Sequence, residues 1–491
     1  MSGVNNRVVL GHHLGSRLLL MAVGFGIFAD GLLRVTPWGL NLLVVVVGGL
    51  VATSVLSRWG GVQLEGEGRW LAVPMLFFAV GLAWRDSPTL DVANGLGLLV
   101  SACLAALCAR AGQVRRAGVT QYALGVLYVV LFSVAGLLPV LRWDFRVRQV
   151  ARGWWVPPAV AAGRGALFAL PPLLLFGNLF MAADAEFDRL VRDTFHLDLG
   201  DALVRVSLVT LYAWLIGGAL REMLLAPTRE RQWLSRVGAR AGVIEVAVAL
   251  VLLDALFASF VLVQLPYLFG GLSEVARIGY SEYARRGFFE LVWVAGLTLP
   301  LLLLAHWLVR GASTSAQRLV SSLAVLLVGL LYLVMLSAVQ RMALYVADNG
   351  LTELRVQASA FMAWLGVVLA WFVLTVLRGY RQWFGFGALA SAFVILALLD
   401  TVNPDALIVQ TNARFGHLEA RTVFDERPLA SFSPDATPAI VEALPLLSAE
   451  ARTQVEARLE RQRRWLTQTG GDWRALNLSR DAAARALGAK R

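Results

Sequence analysis

Cysteine, lysine and charge are what this chain of 491 residues has least of. Its two cysteines, Cys103 and Cys108, fall five residues apart inside one apolar run. That spacing fits neither a paired CxxC metal site nor a disulfide framework, so ordinary packing against lipid or core is their expected role. Lys490 is the single lysine, and an arginine-only surface reads as a coding bias with no functional content. There is no phosphate-binding glycine loop, no HExxH and no basic recognition helix, which weighs against an ATPase, a zinc protease and a nucleic-acid binder. No cofactor or metal is expected. An enzymatic role is disfavoured, although an enzyme acting on a lipid-linked substrate through an unfamiliar site stays open. Charged residues make up 16% of the chain against 58% hydrophobic, and the mean hydropathy is +0.66. A soluble fold is excluded by that balance.

What is present is repetition. Runs of roughly twenty mostly apolar residues, long enough to cross hydrocarbon, recur until Leu399. About twelve spans are expected, near 18–33, 40–56, 70–84, 90–108, 122–141, 166–183, 203–220, 243–263, 288–308, 319–337, 358–377 and 383–399. The first opens a series and has no small-residue cleavage site behind it, so it reads as a span and not as a signal peptide. The expected fold is an all-α, polytopic transmembrane helical bundle over 1–400, in the bacterial inner membrane. Residues 401–491 form a small water-facing helical tail. In the tail, Leu444 to Thr467 has helical spacing, and Ser479 is placed to cap a last helix over Arg480 to Leu487. Independent folding and docking on the membrane part are both open for it.

The net charge of +11 is carried mainly by arginines in short loops, which suits phospholipid head groups better than nucleic acid. The later basic loops read as cytoplasmic, which puts the tail outside the cytoplasm. The first half disagrees, because the N-terminus and the loop at Arg110, Arg115 and Arg116 have the opposite parity. A missed crossing, or an early run that does not fully span, would reconcile the halves.

Several blocks carry a family resemblance. They are PWGLN (Pro37 to Asn41), AWRDSPTL (Ala83 to Leu90), MAADAEF (Met181 to Phe187), YLFGG with YSEYARRGFFEL, SAVQRMALY (Ser337 to Tyr345) with GLTELR (Gly350 to Arg355), NPDALI (Asn403 to Ile408) and WRALNLSR (Trp473 to Arg480). In this order they resemble the bacterial multi-pass membrane proteins grouped as domain of unknown function family 4173. The resemblance implies the fold and no activity, since that family brings no catalytic residues to carry over.

Candidate residues follow from cost. A charge in hydrocarbon costs roughly 3 kcal/mol or more, so Asp254, in the middle of an apolar run, is either a protonatable carboxylate in an ion path or a neutral aspartate fixing helix packing. The second carries more weight, because a lone acid with no cationic partner at its depth does not make a relay. Glu245 and His306 lie at matching depths on adjacent antiparallel spans, and a pair there would suit proton transfer or, with better odds, packing. The polar stretch between two spans holds Tyr267, Gly270, Gly271, Tyr283, Arg285, Arg286 and Glu290, a candidate interface loop. Asn403 and Asp405 flank Pro404 just after the last span and read as a capped turn that aims the tail. Arg341, Tyr345, Glu353 and Arg355 read as an interface network. The acidic loop from Asp184 to Asp201 lacks the ligand spacing of a calcium loop and reads as solvated linker. The leading functional expectation is a non-enzymatic membrane component, surrounded by membrane lipids, that binds a protein partner through its tail or signals. The alternative is a transporter or permease using Asp254.

Overall fold

A computed structural model describes residues 2–64, 66–109, 118–135, 199–224, 242–269, 288–416 and 433–489. Numbered in chain order, its α-helices are α1 (Ser2–Leu33), α2 (Leu40–Trp59), α3 (Ala72–Trp84), α4 (Pro88–Cys108) and α5 (Val119–Ala135). Then come α6 (Leu199–Leu224), α7 (Val243–Phe269), α8 (Phe288–Leu308), α9 (Thr314–Asn349), α10 (Glu353–Thr375) and α11 (Phe384–Val402). The tail adds α12 (Pro404–Arg414), α13 (Thr437–Ala443), α14 (Ala449–Thr469) and α15 (Leu478–Ala486). No strand occurs among the described residues. Eight of the described helices are long and apolar enough to cross a membrane, and the chain is a multi-pass membrane protein. The expectation of about twelve is therefore not reached among the described residues. The run near 166–183 lies outside them, as do the last residues of the run expected at 122–141, of which α5 describes only the part to Ala135; α3, with 13 residues, is shorter than a span, and α1 is not among the eight.

Short turns force the helices antiparallel, and this sorts their termini onto two ends. One end, called here the tail end, collects the close of α1, α3, α9 and α11 and the start of α2, α4 and α10. Arg205 near the start of α6 reaches Asp30 near the close of α1, so α6 also begins at this end. At the opposite end Arg17 donates to the Trp59 carbonyl at 2.7 Å, tying the early part of α1 to the close of α2. The main core packs α7 and α8 on α9 and α10 through Leu250, Phe257, Leu302, Leu331, Leu365 and Phe372, all buried. α11 joins this group to the first: it packs on α10 and touches α4 and α5, and Phe78 of α3 meets Phe393 edge-on at 4.9 Å.

The arginines divide by end. Arg17, Arg58, Arg69, Arg310, Arg318, Arg378 and Arg381 stand at the opposite end. At the tail end Arg34 pairs with Asp30 at 3.4 Å, Arg341 donates to Gln264 at 2.7 Å, and Arg355 lies against the Tyr345 ring at 4.0 Å. The two halves of the chain thus agree in parity across the described helices.

Candidate functional site

The tail docks on the membrane part, and it does so through buried charge. α3 closes and α4 opens with Arg85, Asp86 and Ser87, a three-residue turn before Pro88, which suits the first helical position of α4. Arg85 is 8% exposed. Its Nε donates to the Asp400 carbonyl at 2.5 Å, its guanidinium lies 3.5 Å from the Asp435 carboxylate, and its plane stacks over Trp84 at 4.5 Å. Asp435, 2% exposed, comes from the segment just before α13. Its second oxygen accepts the Asp86 amide at 2.9 Å, and its first accepts the Ser479 hydroxyl. All three contacts of this buried carboxylate thus cross from tail to turn or from one tail segment to another.

Arg480 of α15 is the second cation, 1% exposed. It lies 3.3 Å from Asp86 and donates to the carbonyls of Pro37, at 3.2 Å, and Trp38. Asn477 donates to the Arg85 carbonyl at 2.7 Å while its side-chain oxygen accepts the amides of Ser479 and Arg480. The expected cap of α15 is thereby corrected. Asn477 and not Ser479 caps the helix, because the Ser479 hydroxyl is committed to Asp435. The turn before α2 joins in by backbone alone, Leu40 donating to the Leu476 carbonyl at 2.8 Å.

Asn403 stands where α11 hands over to α12. It adopts a left-handed conformation at φ 56°, which asparagine tolerates better than most side chains. Its oxygen caps α12 by accepting the Ala406 amide at 3.2 Å, and its NH₂ donates to the Asp435 carbonyl at 3.0 Å. Asp405 accepts from Ser433. Burial pushes its carboxyl above the usual range, hydroxyls of Ser433 and Ser87 pull it back, and the negative charges of Asp435 and Glu353 push it further up. Asp400 accepts from Asn94 at 2.9 Å. Beside this cluster, Glu353 accepts from Thr89, and Asn412 exchanges two hydrogen bonds with the Leu351 backbone, at 2.6 and 2.9 Å.

Four sequence blocks therefore meet in one place: PWGLN, AWRDSPTL, NPDALI and WRALNLSR. A family model described as Domain of unknown function (DUF4153) matches residues 72–443. The chain belongs to this family. The resemblance to an uncharacterised family holds, but the number read from the sequence, 4173, is not the one that matches. The DUF4153 region contains Arg85, Asp400, Asn403, Asp405 and Asp435, whereas Asn477, Arg480 and the PWGLN turn lie outside the matched residues. No curated protein and no solved structure matches the chain.

The other candidates of this DUF4153 chain are scattered. Asp254 is 5% exposed and sits in the α7 stripe of Leu250, Phe257 and Val261 that packs on α9, with no hydrogen-bond partner on either oxygen. Glu245 accepts the amide of Gly242, just before α7. His306 lies near the close of α8 beside a groove at the opposite end. No hydrogen bond or ion pair joins Glu245 to His306, and the pair suggested by their depths is not made. Glu290 is exposed in the first turn of α8. Gly270, Gly271, Tyr283, Arg285 and Arg286, and the acidic positions before α6, lie outside the described residues, as does the side chain of Tyr267. Of Arg341, Tyr345, Glu353 and Arg355, Arg355 stacks over the Tyr345 ring, Arg341 donates to Gln264 and Glu353 accepts from Thr89. Among the described residues no group of three or more His, Cys, Asp or Glu is placed to hold a metal ion.

In the sequence Arg85, Asp86 and Arg480 stand only as letters of the AWRDSPTL and WRALNLSR blocks, and Asp435 stands in none. The polar blocks at the span ends and in the distant tail are legible in the sequence one by one, but nothing in their spacing joins them.

Proposed function

We propose that this DUF4153 protein is a non-enzymatic component of a bacterial inner membrane. Its helical bundle serves as a platform that holds the C-terminal tail in one orientation for a protein partner. The observation that carries this reading is the buried Arg85–Asp435–Ser479 and Arg480–Asp86 junction. A tail acting only as a tether would need no desolvated charges, whose burial is costly unless orientation is being fixed. The docked tail turns the Val455, Leu459 and Leu466 stripe of α14 inward and leaves Arg452, Glu456, Glu460, Arg463 and Arg464 exposed, a surface of mixed sign suited to a polar partner. The gathering of exposed arginines at the opposite end, among them Arg58, Arg69, Arg318 and Arg378, supports placing that end in the cytoplasm and the tail on the external face.

The test compares the full chain, a chain ending at Val402 and the variant Arg480→Ala, each carrying the same affinity tag and cross-linked in intact cells. The reading expects discrete partner adducts with the full chain, none with the truncated one and fewer with Arg480→Ala. An adduct set identical in all three overturns it.

A second reading is a transporter or permease in which Asp254 exchanges a proton, favoured by the buried carboxylate without a partner in the α7–α9 seam. Reconstituted Asp254→Asn should then lose substrate-coupled or proton flux. Unaltered flux removes the reading.

A further inference from the structure

At the end of the bundle away from the tail, the turn between α8 and α9 and the close of α10 enclose a groove of about 590 Å³. Arg318, Arg378, Gln317 and Ser322 line it near the helix ends, and Val325, Val373, Val376 and Leu377 supply its apolar side. Among the described residues no carboxylate lines it. Arg310 and Arg381 stand within electrostatic reach of His306 on its wall, so two further guanidinium groups add positive charge beside the two that line it, with no acid among its described lining residues. His306 adds a buried Nδ1 without a hydrogen-bond partner. Gln317 does not close the groove, because its amide is spent on the Arg310 and Ala312 carbonyls, both at 3.1 Å, where it pins the turn.

The geometry points to a binding site for one anionic phospholipid, with its phosphate between Arg318 and Arg378 and an acyl chain along Val325, Val373 and Val376. Guanidinium groups bind phosphate oxygens by paired, charge-assisted hydrogen bonds. Cations uncompensated by acids raise the local affinity for an anion. The grading of the lining from cationic end to valine side matches the head-to-tail polarity of a lipid, and a free anion would leave the apolar side unused. Basic pockets between helices on the cytoplasmic side are a recurrent setting for such head groups.

The experiment is native mass spectrometry of the full chain in detergent, titrated separately with dioleoylphosphatidylglycerol, dioleoylphosphatidylcholine and inorganic phosphate. The groove variant Arg318→Gln/Arg378→Gln and the control variant Arg58→Gln/Arg69→Gln, at the same end but outside the groove, are titrated alongside. All four positions are at the surface or partly so, and an unchanged thermal unfolding midpoint shows that the variants fold. Expected are saturable adducts of one phosphatidylglycerol on the wild type, weaker phosphatidylcholine binding, and a loss of at least about tenfold in apparent affinity in the groove variant with little change in the control. Equal losses in both variants would mean general surface charge, unchanged binding in the groove variant would place the lipid elsewhere, and phosphate binding as tight as the lipid would make the anion its own ligand. Each of these overturns the assignment.

Discussion

Arg480 does for the tail what a single side chain can do only when it is desolvated: it ties α15 at once to the turn before α2, through Pro37 and Trp38, and to the turn before α4, through Asp86. Removing one side of a buried ion pair leaves the other charged and unpaired, at a cost of about 3–5 kcal/mol. Arg480→Ala removes the ion pair to Asp86 and the hydrogen bonds to the carbonyls of Pro37 and Trp38, so limited proteolysis should cut between α13 and α15 far faster in the variant while the bundle stays protected. Arg480→Lys should rescue little, because an ammonium cannot serve a carboxylate and two carbonyls with a planar fork. Unchanged cleavage in Arg480→Ala would show that the tail is held elsewhere. Asp405 adds a dependence on pH. Its carboxyl is raised in the folded state, chiefly by burial, so the native junction binds more protons than the unfolded one above the ordinary value of 3.8. Its contribution therefore favours the docked tail on the acid side and is lost as pH rises through the raised value. Protease protection of the tail should fall from acid toward neutral pH, and Asp405→Asn should flatten that fall. These residues, Asp435 excepted, were visible in the sequence as motif letters, but their pairing was not, since Arg85 and Asp435 are far apart in the chain and no spacing rule joins them. Asp254 was visible for the opposite reason: a charge in an apolar run declares itself, whatever it does.

At the scale of elements, periodicity and hydropathy located nearly every described helix, often to within a turn of its end. α2, α4, α8 and α11 begin or end within about two residues of their expected bounds. The misses occur where a polar helix continues beyond the hydrocarbon, as in α9, which runs on from Ser337 to Asn349. A hydropathy window stops at the last apolar residue, but the backbone hydrogen bonds do not. The turn between α1 and α2 is the element most constrained by the tail. Gly39 lies so close to α15's approach that a Cβ there would stand 2.3 Å from the Leu476 carbonyl oxygen. That atom belongs to the backbone and cannot rotate away. Gly39→Ala should therefore separate the turn from the tail, breaking the Leu40–Leu476 hydrogen bond and lowering the unfolding midpoint of the tail by several degrees. A Gly39→Ala protein with wild-type tail protection would mean that this contact is dispensable. The tail helices themselves were less legible. α13 is only 7 residues long, and α15 is capped from Asn477 because tertiary demand on Ser479 overrode its local preference.

For the whole molecule, the sorting of helix termini yields a topology that the arginine count alone left inconsistent. With Cys103 and Cys108 replaced and a single cysteine placed at Ala489, a membrane-impermeant maleimide should label intact cells. Protection that disappears on lysis would put the tail in the cytoplasm and invert the assignment of both ends, and with it the leaflet in which the arginine groove is to be sought. Sequence by itself determined that this chain is helical, crosses a membrane many times and ends in a polar tail, because the hydrophobic cost of exposing such runs to water admits no other solution. Which polar groups act together was decided only by the tertiary structure. Burial lets Arg85, Asp86, Asp435 and Arg480 interact strongly by excluding water, and that exclusion exists only once the tail has closed over the helix ends.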